Sequence, residues 1–252
     1  MTSRRVFLAS LAAACATEPQ MPDQTIFELR NYLLRPGQRD VLIELFEREF
    51  ISMQEDEGAC VVGTFRNLDD PDRFVWIRSF SDYASRAPVL DAIYSGPVWQ
   101  ANRSAANATM IDSDNVLLLR PHSGALPCSG ARPRVAAAEP PQTIIAISTY
   151  YLAPGGENDF APFFEGEIAP RLRNTRGAVL ATLVTENRAN NFPRLPVRED
   201  VNVFVSVARF PSIATQTESA RALGELGREI ERRSAHPAET FRLQPTARSL
   251  LL

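Results

Sequence analysis

The feature of this sequence that most constrains its fold is an internal repeat of a strand, a Pro-Gly turn and an amphipathic helix. Segment 29–37 ends in Pro-Gly and is followed by apolar residues at helical spacing. Segment 148–155 ends and continues in the same way, and Tyr151 follows Tyr32 by 119 residues. Two copies of one pattern predict one structural unit used twice.

Each copy is predicted to have the order β-α-β-β-α-β, which is the split order of ferredoxin-like units. The matched strands 74–80 and 204–210 are 130 residues apart, which predicts an eleven-residue insertion in the second hairpin loop, within 187–200. Helices cover one face of such a sheet, so two copies are expected to bury their other faces against each other. The predicted fold class is α+β, with two tandem ferredoxin-like units forming an intramolecular α/β barrel.

Four segments are predicted along the chain. They are an export signal (1–20), a first unit (24–120), a linker rich in Pro, Gly and Ala (121–142) and a second, degenerate unit (143–252). Because one chain carries both units, the expected assembly is either a monomeric pseudo-dimer or a homodimer.

The beginning of the chain predicts export. Arg4 and Arg5 form a twin-arginine pattern, and the apolar run 6–14 has the length of a signal-peptide core. The sequence allows two ways of processing this signal peptide. One is cleavage after Ala16, and the other is lipid attachment at Cys15 in an imperfect lipoprotein box. The predicted location is periplasmic, with membrane attachment only if Cys15 is lipidated.

Composition excludes several functional classes. All 27 basic residues are arginine, so a P-loop lysine, a Schiff-base lysine and a kinase strand lysine are all absent. The net charge of −3 gives no electrostatic support for nucleic-acid binding. Two histidines are too few for a His-built zinc site, and no cofactor is predicted.

The cysteines predict no disulfide framework. Cys15, Cys60 and Cys128 are odd in number and far apart along the chain. Cys60 opens a predicted strand and is expected to be a core residue.

The first half resembles the NIPSNAP family, within the dimeric α/β-barrel superfamily, over about residues 24–120. The motifs that carry the resemblance are Glu28 to Leu33, Arg35-Pro36-Gly37, Phe65-Arg66, Phe74 to Phe80 and Tyr94 to Trp99. The second half is a weaker copy. The resemblance implies the fold without selecting an activity, because the superfamily ranges from cofactor-free monooxygenases through haem degraders to isomerases and pure binders.

Strand alternation selects the candidate site residues. Glu28, Arg30 and Tyr32 share one face of the first strand, and Trp76 and Arg78 share one face of the third. The opposite, aliphatic faces are expected to meet the helices, which directs these five side chains into the barrel. A buried charge needs a partner, so Glu28 and Arg78 are expected to pair across strands. Removing both charges is then predicted to cost less stability than removing Arg78 alone.

These residues suggest a small-molecule site. Arg30 or Arg78 is the candidate anchor for an anionic or enol oxygen, and Tyr94 and Trp99 are candidates for an aromatic rim. The alternative is a structural ion pair that only fixes strand register. Among the five strand residues, the tyrosine alone is predicted to persist in the second half, as Tyr151, which assigns any active cavity to the first half.

Two functions therefore remain open. One is binding of a small aromatic, quinone-like or acyl molecule, with cofactor-independent oxygenation or isomerisation as its chemistry. The other is a non-enzymatic binding or assembly module with a packed barrel. A cavity of roughly 300 Å³ or more beside Trp76 and Arg78 favours the first function.

Overall fold

A computed structural model describes residues 25–128, 132 and 142–252. The twin-arginine pair, Cys15 and most of the predicted linker lie outside the described residues. In the described part of the chain, no helix has both the length and the apolar character needed to cross a membrane.

The first half has the predicted β-α-β-β-α-β order, with each helical layer divided into two helices. Its strands are β1 (Ile26–Leu34), β2 (Cys60–Asn67), β3 (Arg73–Phe80), β4 (Met110–Asp112) and β5 (Val116–Gly124). Its helices are α1 (Arg39–Leu45), α2 (Ile51–Asp56), α3 (Tyr83–Ser95) and α4 (Pro97–Thr109), with a π-helical turn at Phe46–Phe50. The short β4 is an addition to the predicted order and pairs with the end of β1.

The second half repeats this order. Its strands are β6 (Ile144–Leu152), β7 (Ala178–Thr185), β8 (Asn202–Phe210) and β9 (His236–Pro245). Its helices are α5 (Glu157–Phe163), α6 (Ala169–Asn174), α7 (Ile213–Gly224) and α8 (Gly227–Arg233), with a π-helical turn at Phe164–Ile168. Here α8 has 7 residues, whereas α4 in the first half has 13, so the second helical layer covers its sheet less completely.

Eight antiparallel strands close into one barrel. Within each half the first strand lies between the third and the last, as in β3-β1-β5 and β8-β6-β9. The seams between the halves are β2 with β9 and β5 with β7. The predicted sheet-on-sheet arrangement is confirmed in this closed form, which leaves no free edge among the eight strands.

The interior of the barrel is filled by apolar, mostly aliphatic side chains from both halves. These include Phe27, Leu29, Val75 and Ile77 from the first half and Ile145, Ile147, Val205 and Val207 from the second. The prediction that these faces meet the helices is therefore wrong. An eight-stranded barrel is narrow enough to be filled by side chains, and its closed interior offers charged groups no water. The polar and aromatic face consequently turns outward, towards the helices.

The register of the repeat also differs from the prediction. The positive-φ turns at Gly37 and Gly155, with φ of 75° and 77°, are 118 residues apart, and so are the first residues of β1 and β6. The second-half equivalent of Tyr32 is therefore Tyr150 and not Tyr151. The loop insertion agrees with the prediction, because the β7–β8 loop (186–201) is eleven residues longer than the β2–β3 loop (68–72).

Two further differences concern the end of the first half. Strand β5 continues to Gly124 because Pro121 and Gly124 pair with β7, so the connection begins after Gly124 rather than at residue 121. The structure also joins Cys60 and Cys128 in a disulfide, with their Cα atoms 5.8 Å apart. The expectation of no disulfide is wrong because spacing along the chain does not report distance in the fold. Cys60 is a core residue, as predicted.

Candidate functional site

The candidate site lies between the first-half sheet and its helices. Tyr32 and Trp76 project from β1 and β3 into a cluster with Leu42, Phe46 and Phe50 from the helical layer. The strand register places Glu28 opposite Arg78 and Arg30 opposite Trp76. The five strand residues predicted to share a face are thus brought together, on the opposite side of the sheet from the one expected.

Glu28 is the centre of a fully buried ion cluster. Its Oε2 accepts hydrogen bonds from Arg30 Nη1 at 2.7 Å and Arg78 Nε at 2.8 Å, and its Oε1 accepts one from Arg86 Nε at 2.7 Å. All four side chains are 0% exposed, so none of these charges is screened by water. The predicted pairing of Glu28 with Arg78 is confirmed.

Arg86 is a member of this cluster that strand alternation could not reveal. It lies one turn into α3, whose first residue follows Asp82, the N-cap that accepts a hydrogen bond from Ser85 N at 2.7 Å. Helix α3 crosses the sheet and brings Arg86 over Glu28. The sequence of α3 has no clear apolar stripe, so its pattern gave no signal that Arg86 is buried.

The cluster contains three guanidinium groups and one carboxylate. Burial alone would raise the pKa of Glu28, but the charges of Arg78, Arg30 and Arg86 outweigh it and hold that pKa far below its ordinary value of 4.5. Arginine remains charged in proteins. The buried cluster therefore carries an excess of two positive charges.

Aromatic rings cover part of this excess charge. The Arg30 guanidinium lies 5.4 Å from the ring centres of Tyr32 and Trp76, and the Arg78 guanidinium lies 5.2 Å from that of Trp76. Arg30 Nε also donates a hydrogen bond to the Tyr32 hydroxyl at 2.9 Å. Among the described residues, Arg30 Nη2 and Trp76 Nε1 are buried without a hydrogen-bond acceptor.

A small cavity of about 40 Å³ adjoins these rings. Its walls include Tyr32, Gln54, Trp76, Tyr94 and Trp99. Tyr94 and Trp99 meet edge to face with ring centres 5.0 Å apart, where α3 ends and α4 begins. The volume is far below the roughly 300 Å³ expected of an open ligand site. By this criterion alone, the packed-barrel alternative is favoured.

The β7–β8 loop of the second half covers the first-half site. Asn190 and Asn191 accept hydrogen bonds from Arg86 Nη1 at 2.9 and 2.7 Å. Phe192 stacks on Tyr94 with ring centres 6.2 Å apart. The inserted segment thus supplies neutral acceptors and a ring to the other half's site, which the sequence pattern did not indicate.

The second half lacks the ion cluster. At the positions of Glu28, Arg30, Tyr32, Trp76 and Arg78 it has Ala146, Ser148, Tyr150, Ser206 and Ala208. Tyr150 is buried against α5, as Tyr32 is against the first-half helices, whereas Tyr151 is half-exposed. The sequence predicts that the second half lacks these charges, and this remains true when the corrected residue equivalences are used.

Glu28 is expected to make the fold sensitive to acid below its ordinary pKa of 4.5. A carboxylate whose pKa is lower in the folded state stabilises the fold above the unfolded-state pKa, and this stabilisation is lost as the pH falls towards the folded-state pKa. Each pH unit below about 4.5 is expected to remove up to ~1.4 kcal/mol. Urea unfolding of the wild type and Glu28→Gln between pH 7 and 3 measures this loss. An equal pH dependence in both proteins contradicts the expectation.

Comparison with known proteins supports the resemblance and the fold. Residues 27–125 match the model of the NIPSNAP family. No curated protein sequence matches the chain. A solved monooxygenase-like protein of Fusobacterium nucleatum subsp. nucleatum shares 10% identity with a TM-score of 0.59, over 89% of this chain and 94% of its own.

Two further solved structures are similar over most of the chain. An anthrone oxidase-like protein shares 11% identity with a TM-score of 0.55, over 90% of this chain and 94% of its own. A monooxygenase-like protein of Lactobacillus acidophilus shares 11% identity with a TM-score of 0.54, over 91% and 99%. At such low identities these likenesses establish the fold of the tandem barrel and leave its chemistry open.

Proposed function

We propose that the first half of the chain, in which residues 27–125 match the NIPSNAP family model, binds a small aromatic, quinone-like or acyl molecule carrying a negatively charged oxygen. The ligand lies in the aromatic cavity between β1, β3 and the first-half helices. The observation that carries this proposal is the buried cluster of three arginines and one glutamate. An uncompensated buried charge is costly, and a bound anion lowers that cost.

Tyr32 connects the positively charged cluster to the ligand through its hydroxyl group. Its hydroxyl oxygen accepts from Arg30 Nε, so its own proton is free to be donated into the cavity. Burial raises the pKa of Tyr32 above its ordinary value of 10, although Arg30 and Arg78 lower it in part, so the hydroxyl stays protonated at neutral pH. Trp76 Nε1, which has no acceptor among the described residues, is a second donor on the same wall.

Binding requires the cavity to widen from about 40 Å³. Met53, Trp99 and Met110 line it and are each partly exposed, so they stand at its mouth. Methionine side chains adapt easily to different shapes. We place ligand entry at this mouth, with the methionines and Trp99 moving outward.

The same arrangement suits cofactor-independent oxygenation or isomerisation. Both reactions pass through a substrate enolate or a similar oxyanion, and donors placed beside that oxygen stabilise it. Tyr32 and Trp76 are the donors, and the arginines below them supply the positive potential. The alternative is a non-enzymatic module, which the aliphatic packing of the barrel interior favours.

We further propose that the protein is exported. The Cys60–Cys128 disulfide supports this, because disulfides persist in oxidising compartments such as the periplasm. The twin-arginine pattern at Arg4 and Arg5 is the proposed export signal.

Benzoate is expected to change the intrinsic fluorescence of the protein, whereas the neutral benzyl alcohol is expected to bind at least ~10-fold more weakly. The chain has 2 tryptophans, and both line the first-half cavity, so fluorescence reports on this site. Tyr32→Phe removes one charge-assisted hydrogen bond and is expected to weaken benzoate binding by about 10- to 100-fold.

Tyr150→Phe is the matched control, because it makes the same change at the equivalent position of the other half. It is expected to leave benzoate binding unchanged. If benzoate and benzyl alcohol bind equally, or if neither alters the fluorescence, the anion site is rejected and the packed module is the better description.

A further inference from the structure

The second half contains a larger cavity at the position equivalent to the first-half site. Its volume is about 240 Å³, against about 40 Å³ in the first half. It lies between β6, β8 and α7, and its mouth is formed by exposed residues of α7 and β9, including Ala220 and Ala238. Neither the family match, which ends at residue 125, nor the proposed anion site extends to this cavity.

The cavity exists because large side chains are replaced by small ones and nothing refills the space. Where the first half has Arg30, Trp76, Arg78, Arg86 and Tyr94, the second has Ser148, Ser206, Ala208, Gln216 and Gly224. The residues that are charged and aromatic in one half are therefore neutral and small in the other. The two halves present opposite chemistry at equivalent positions.

The wall of this cavity is mostly apolar and contains a few polar side chains, none of them charged. Gln216 and Ser219 are 4% and 1% exposed, and the Gln216 Oε1 and Ser219 Oγ atoms have no hydrogen-bond partner among the described residues. On the opposite wall the Tyr150 hydroxyl hydrogen-bonds with Ser148 and Ser206. The cavity lining contains no Asp, Glu, Arg or His.

We propose that this cavity binds an uncharged, ring-sized molecule that carries a hydroxyl group. The hydroxyl donates to Gln216 Oε1 and accepts from Ser219 Oγ, which supplies both orphaned groups with partners. The apolar body packs against Leu172, Phe210 and Leu223, which also line the cavity. An ion is excluded because no lining residue could pair with its charge.

The volume fits a ligand of this size. An apolar cavity of ~150 Å³ in another protein holds benzene, so about 240 Å³ accommodates a substituted six-membered ring. Cavities that stay empty are apolar, whereas this one has two buried polar atoms that need partners. Water and a hydroxyl-bearing ligand thus compete for the same two atoms, and the apolar wall favours the ligand.

Isothermal titration calorimetry of the full chain with phenol, toluene and benzoate tests this proposal. Phenol is expected to bind, toluene at least ~10-fold more weakly because it lacks the hydroxyl, and benzoate not at this site. Tryptophan fluorescence is expected to stay unchanged on phenol binding, because neither tryptophan lines this cavity. This readout separates the site from the first-half cavity.

Two variants locate the binding. Gln216→Leu removes the orphaned oxygen at similar volume and is expected to weaken phenol binding at least ~10-fold while toluene binding is kept or improved. Ala208→Leu fills the cavity and is expected to abolish binding of both. Equal affinities for phenol and toluene, full binding in Ala208→Leu, or no phenol binding at millimolar concentration would overturn the proposal, whatever the outcome with benzoate.

Discussion

Replacing Glu28 by Gln is expected to lower the free energy of unfolding by about 5 kcal/mol, the upper end of the range for breaking a buried ion pair. The variant leaves three buried guanidinium groups, those of Arg30, Arg78 and Arg86, without an anion. Their mutual repulsion adds to the desolvation that the carboxylate now compensates. Urea unfolding at pH 7 measures the loss.

Two comparison variants distinguish this cluster from an ordinary ion pair. Arg78→Met leaves Glu28 bound to Arg30 and Arg86 and is expected to cost only about 1–3 kcal/mol, mainly because Gln54 loses the donor at 2.9 Å. Glu186→Gln, whose carboxylate pairs with the half-exposed Arg188, is expected to cost about 1 kcal/mol or less. A loss in Glu28→Gln no larger than in these controls contradicts the cluster.

The structure reverses the double-variant expectation formed from the sequence. If Glu28 and Arg78 formed an isolated pair, Glu28→Gln combined with Arg78→Met would cost less stability than removing Arg78 alone. Arg30 and Arg86 would remain buried with no counter-charge, so the double variant is expected to behave like Glu28→Gln. Alternation along two strands could pair Glu28 with Arg78, but it could not show a helix residue that reaches the same carboxylate.

The repeat predicted the fold well because it rests on local signals. A Pro-Gly turn, an amphipathic helix and a second strand recur in both halves, and each has its own physical cause. The direction of each sheet face was predicted wrongly because alternation sorts residues into two faces without saying which face is outside. That choice depends on closure of the barrel, which excludes Glu28 and its arginines from the interior.

The different roles of the two halves could not be predicted from local sequence patterns either. The sequence shows that Arg30 and Arg78 have neutral counterparts, but not that Phe192 and Asn191 cross from the second half to the first. Nor does a list of small residues show whether neighbours fill the space they leave. Cavities and inter-half contacts are properties of the packed molecule, so the larger cavity in the second half appears only in the structure.

Loss of the Cys60–Cys128 disulfide is expected to destabilise the protein by about 4 kcal/mol, the value for a loop of this length in the chain-entropy description. The bond spans 68 residues and includes most of the first-half unit, so its loss frees a long segment of the unfolded chain. The Cys60→Ser/Cys128→Ser variant is the test, measured by urea unfolding with and without reductant. Reductant is expected to lower the stability of the wild type to that of the variant and to leave the variant unchanged.

The same cysteines report on where the protein resides. In denatured periplasmic extracts of wild-type cells, Cys60 and Cys128 are expected to resist alkylation until reductant is added, because an oxidising compartment keeps them joined. Denaturation is needed because Cys60 is buried in the folded protein. Arg4→Gln/Arg5→Gln removes the pair that the twin-arginine receptor reads, so this variant is expected to stay in the cytoplasm with both thiols open to alkylation. Free thiols in the periplasmic wild type contradict the disulfide, whereas normal export of the variant contradicts the proposed twin-arginine export signal. The two proposals can therefore fail independently, because stability depends on the bond and location depends on the arginines.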